Sequence, residues 1–138
     1  MLTMALGLKK NLQSDFETTL ARVPQALAAE GFGVLTTIDV ADTLKRKLGA
    51  EFRRYRILGA CNPALAHRAL KANLDVGVML PCNVVVYEAD EGGTVVVAMD
   101  PLQAPAARAD PLIRGVAEEV RVKLERALEH LENGGAGS

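Results

Sequence analysis

Apolar residues in this chain recur with two periods, and the changes from one period to the other mark out its elements. Leu2, Met4, Leu6 and Leu8 alternate with Thr3, Ala5, Gly7 and Lys9, the period of a half-buried strand. Ser14 with Glu17 three residues on predicts a capping box. Phe16, Leu20, Val23 and Leu27 then form a helical stripe, with a kink or early break expected at Pro24 and an end at Gly31. Phe32 to Ile38 reads as a second strand. Asp39 is placed to cap a short helix carrying Leu44 and Leu48, stopped by Gly49.

Arg53 to Ala60 is the third predicted strand, with Tyr55, Ile57 and Gly59 on one face and Arg54, Arg56 and Leu58 on the other. Asn62-Pro63 starts a helix to about Lys71, with Asn73 able to close it. Asn83 to Ala89 and Thr94 to Met99 flank Asp90-Glu91-Gly92-Gly93, the best hairpin signal in the chain. Asp100 to Ala109 is read as a loop. Asp110-Pro111 opens a long last helix whose stripe is Ile113, Val116, Val120, Leu124, Ala127 and Leu131, with Glu119 and Lys123 as an outer i,i+4 pair.

The expected fold is therefore α+β, a single two-layer domain over residues 1–132. It has a mixed five-stranded sheet and about four helices in the order β-α-β-α-β-α-β-β-α, with a disordered tail at 133–138. Val84-Val85-Val86 and Val95-Val96-Val97 make both faces of the hairpin apolar, whereas a half-exposed strand would alternate. With few helices to share between two faces, a homodimer is expected.

At 138 residues, 49% of them hydrophobic, the chain holds one core without metal or disulfide staples. A net charge of −1 gives no general attraction to nucleic acid or anionic lipid, and the three Phe, two Tyr and no Trp offer few stacking platforms. Two cysteines are too few for a disulfide scaffold. With no secretory signal pattern and no apolar run of about 20 residues, the expected setting is the cytoplasm, off the membrane. Walker, dinucleotide-binding, zinc-protease and serine-hydrolase signatures are absent.

Gly59-Ala60-Cys61-Asn62-Pro63 with Leu65 and Ala66, and then Leu80-Pro81-Cys82-Asn83 leading into Val84-Val85-Val86-Tyr87-Glu88, resemble the domain-of-unknown-function 302 family. Gly31-Phe32 and Met99-Asp100-Pro101 are similar to that family's punctuation, and the resemblance spans about residues 5–130. It implies a compact α+β fold and brings no activity, substrate or cofactor with it.

The residues themselves single out Cys61, Asn62, Cys82 and Asn83. Cys61 precedes a helix N-terminus, whose free N–H groups favour thiolate, and Cys82 opens the fourth strand. If these strands are neighbours, both thiols and both amides lie at one edge, where a small polar or anionic ligand would bind. The competing reading is structural: buried cysteine acts as a small hydrophobe, and Asn62 need only cap. A metal site from Cys61, Cys82 and His67 lacks ligand spacing, and His130 belongs to the ragged helix end. Lys45, Arg46, Lys47, Arg53, Arg54 and Arg56 form a basic segment, 45–56, without a nucleic-acid motif around it. The reading favoured is a non-catalytic, dimeric binding or regulatory module without cofactor or metal. The alternative is a thiol enzyme or redox protein using Cys61 as its catalytic residue with Cys82 as resolving thiol. Nucleic-acid binding through 45–56 is the weaker third.

Overall fold

The computed structural model describes residues 3–4 and 6–131. Its strands are β1 (Thr3–Met4), β2 (Gly7–Leu12), β3 (Gly33–Asp39), β4 (Tyr55–Cys61), β5 (Cys82–Glu88) and β6 (Thr94–Met99). The helices are α1 (Phe16–Ala28), α2 (Val40–Leu48), α3 (Pro63–Ala72), α4 (Pro105–Ala109) and α5 (Pro111–Glu129). Short 3-10 segments occupy Leu74–Met79 and Pro101–Gln103. The tail expected at 133–138 lies outside the described residues, as do Met1, Leu2 and Ala5 of the first predicted strand.

One sheet runs β1-β2-β6-β5-β4-β3, five full strands with the two-residue β1 at its edge. The fold is α+β as expected, but the sheet is antiparallel in every pair and not mixed. Two connections cause this. The α1 link carries the chain from β2 past three strands to the far edge. The link through α3 and Leu74–Met79 returns it to the end where it left, so β5 starts beside the finish of β4, with Ala60 opposite Cys82.

Local chemistry accounts for the helix ends. Asp39 Oδ1 accepts the Asp42 N–H, and Gly49 closes α2 at φ 66°. Asn62 Oδ1 accepts the Leu65 N–H at the start of α3, and Asp110 Oδ1 takes the Leu112 and Ile113 N–H groups at the start of α5. At α1 the cap is Asp15, which accepts from the Thr18 N–H, and not Ser14. Ser14 is engaged elsewhere: its hydroxyl pairs with Thr19 and its carbonyl accepts from the Thr94 hydroxyl. Pro24 does not break α1, because Val23 and Leu27 on either side of it are both buried in the core. The loop expected over 100–109 instead folds into a 3-10 turn and α4, each with a proline in its first turn.

The inward row of Leu8, Leu12, Leu58, Ala60, Val84, Val86, Val96 and Ala98 packs with buried residues of α1, α3 and α5 into one core. Lys10 shares that side, and its Nζ donates to the Glu129 carbonyl at the end of α5, where the helix dipole favours a cation. The opposite face has three cross-strand rows. Lys9, Val97, Val85, Ile57 and Ile38 form the central one. Asn11, Val95, Tyr87 and Tyr55 form the second; Gly7 and Met99 begin the third, which continues through Asn83, Gly59 and Thr36. Ile57, Val85, Val97, Tyr87 and Met99 on this face are only partly buried, and Ile38 is 48% exposed.

Candidate functional site

The two cysteine–asparagine segments meet. Ala60 is paired with Cys82 and Gly59 with Asn83, so Cys61 and Cys82 are diagonal neighbours at one end of adjacent strands. The side chains do not share a face. Cys82 points inward with Ala60, whereas Cys61 follows Gly59 to the open face and is half-buried. Both are free thiols.

Cys82 forms part of the wall of a small apolar void of about 50 Å³, with Val76, Met79, Ile113, Val116 and Val120 among its other residues. Burial, and secondarily the nearby Cys61, push its thiol up to about 11. At neutral pH it is therefore protonated, a poor nucleophile and a small buried hydrophobe.

Asn62 is committed to the fold at both ends of its amide. Besides capping α3 it donates Nδ2–H to the Glu30 carbonyl, tying α3 to the end of α1. Gly31, at φ 87°, gives that amide room: a Cβ there would stand 2.8 Å from Asn62 Nδ2. Gly59 serves a similar purpose on the open face. A Cβ there would collide with Thr36 Oγ1 and lie 2.7 Å from Pro81 Cγ, so the Pro81 ring, after a cis peptide bond, closes down over this end of the sheet. Asn83 is exposed beside it.

Asn83 also lines a shallow cleft of about 370 Å³ on the open face, with Leu6, Lys9, Tyr55, Val85, Tyr87, Val97, Ala98 and Met99. Its aromatic wall is a stacked pair, Tyr55 and Tyr87, with ring centroids 5.3 Å apart and planes 6° from parallel. The three consecutive valines in β5 and in β6 signalled an apolar second face, but nothing in the spacing singled out Lys9 or the tyrosine pair. That pair forms across strands whose register is set only in the folded sheet.

Five of the six cations of the basic segment are paired where they stand. Lys45 pairs with Glu51, Arg46 with Asp42, Arg53 with Asp90, Arg54 with Glu17 and Glu88, and Arg56 with Asp39. His67 is exposed on α3. His130 lies 3.8 Å from Glu30, with Arg126 beside the same carboxylate. Among the described residues no three His, Cys, Asp or Glu side chains are grouped to hold a metal ion. No helix among them is long and apolar enough to cross a membrane.

The comparisons agree with this architecture. A crystal structure of an uncharacterised conserved DUF302 protein from Bacillus stearothermophilus superposes with a TM-score of 0.85 at 31% identity, covering 94% of this chain and all of that one. No curated protein matches significantly. The family model for the domain of unknown function DUF302 matches residues 8–131, from the first core leucine of β2 to the buried Leu131 just past α5. The chain therefore belongs to the DUF302 family.

Proposed function

We propose that this chain is a non-catalytic, cytoplasmic binding module that works as a homodimer, with a second copy covering the open face of the sheet. One observation carries the reading: α1, α3 and α5 pack their buried residues on one face, and on the other the central row is apolar from Val97 through Val85 and Ile57 to Ile38, with these side chains left only partly buried or exposed. A sheet with one face permanently in water would alternate polar and apolar residues, as its β5 and β6 do not. The footprint also has the right scale. Five full strands spaced ~4.8 Å apart and about six residues long give roughly 500 Å² before side-chain relief, the order of the ~800 Å² per partner of a standard interface.

Within this module the ligand lies at the Asn83 end of the face. Cys61 and Asn83 face it, and Asn62 and Cys82 set the position of those strand ends from behind. A buried, protonated Cys82 favours binding over thiol exchange. Sedimentation velocity at micromolar concentration tests the assembly. The expected species is twice the 14.7 kDa of one chain, and a single-chain species down the whole concentration series contradicts it.

A further inference from the structure

Among the described residues, Lys9 is the one charged side chain that the sheet presents on its open face, at the end of the row Val97, Val85, Ile57. Among the described residues of the strands no carboxylate shares that face. Covering the face with a second copy therefore brings in a second Lys9 and no counter-charge, and desolvating an ammonium without an anion is costly. The cleft beside Lys9 has an apolar floor of Val85 and Val97, the stacked Tyr55 and Tyr87 at one end, and the Asn83 amide toward the other.

From this charge imbalance and this lining we infer that the interface holds a small amphipathic carboxylate, its anionic head at Lys9 and its hydrocarbon or ring body on the valine floor. The inference rests on the homodimer reading and names the ligand class of that module. An inorganic anion would leave the apolar cleft unfilled, and a neutral hydrophobe would leave Lys9 unmatched. Lys9 supplies a charge-assisted hydrogen bond, the kind of contact that separates an acid from its alcohol by about tenfold in affinity.

The test is calorimetric titration of the full chain at neutral pH with octanoate, octanol and octylamine, with light scattering on the same samples. Octanoate should bind saturably, octanol about tenfold more weakly, and octylamine not at all. Lys9→Met keeps the aliphatic stem and should abolish the preference for octanoate over octanol; Lys9→Gln provides a second variant should Lys9→Met fold poorly. A chain that scatters as a dimer but binds octanoate no better than octanol, or binds neither, overturns the ligand inference and leaves the assembly standing. A chain that scatters as a monomer overturns the assembly, and this inference with it.

Discussion

Asn62 joins two elements with one side chain, so its removal should be felt beyond α3. Asn62→Ala deletes a helix cap and a tertiary hydrogen bond and should lower stability by about 1–2 kcal/mol in urea unfolding. Asn62→Asp should recover part of this, since a carboxylate still caps Leu65 but cannot donate to Glu30. Cys82 makes a pH-dependent contribution. Its thiol titrates near 11 when folded against an ordinary value of 9.0, so between these values the unfolded chain gives up its proton first. Stability attributable to Cys82 is thus full below about pH 9 and is lost as pH rises toward about 11, by roughly 2–3 kcal/mol. Urea midpoints of wild type and Cys82→Ala across pH 8–11 check this. The wild type should fall more steeply, and parallel curves would remove the burial argument. Both cysteines were conspicuous in the sequence, but their faces were not. The sequence pattern ends the third strand at Ala60 and starts the fourth at Asn83, one residue short of the observed strands in each case. Cys61 and Cys82 then fall in loops, to which period-two alternation assigns no side.

At the scale of elements, α2 and α5 contrast. α5 buries Ile113, Val116, Ala117, Val120, Leu124, Ala127 and Leu128, while α2 buries no residue and relies on the Asp39 cap, the Gly49 cap and the Arg46–Asp42 pair. A nine-residue helix held by caps alone is marginal in water. Amide hydrogen exchange should therefore show α2 opening at much lower free energy than α5; equal protection would mean that α2 is packed against something more than β3 and β4. Elements with a cap and a long stripe were legible from sequence, as were the β5–β6 hairpin with its two positive-φ glycines and the αL stop at Gly49. The segments Leu74–Met79 and Pro101–Ala109 were not, because turns of three to six residues show no repeat of either period. Strand order was hidden for a different reason. Whether the α1 connection places β3 beside β2 or beyond three intervening strands is decided by which neighbours bury the sheet, and no local signal encodes that.

The whole molecule has one finished face and one unfinished face. Charge does not complete the second: the cations of segment 45–56 are largely matched by acids of the same chain, so retention on heparin at physiological salt should be negligible. In the proposed assembly burial by a second copy completes it, and the consecutive valines of β5 and β6 are the sequence signal that points there. The decisive measurement introduces a charge into the centre of the open face. Val85→Asp and Val97→Asp replace partly buried side chains that lie outside the core, so each variant should keep its helical circular dichroism and cooperative unfolding. Light scattering should give two chains per particle for the wild type and one for each variant. A particle mass that is the same for wild type and folded variants, whether one chain or two, would contradict the claim that this face is where two copies meet.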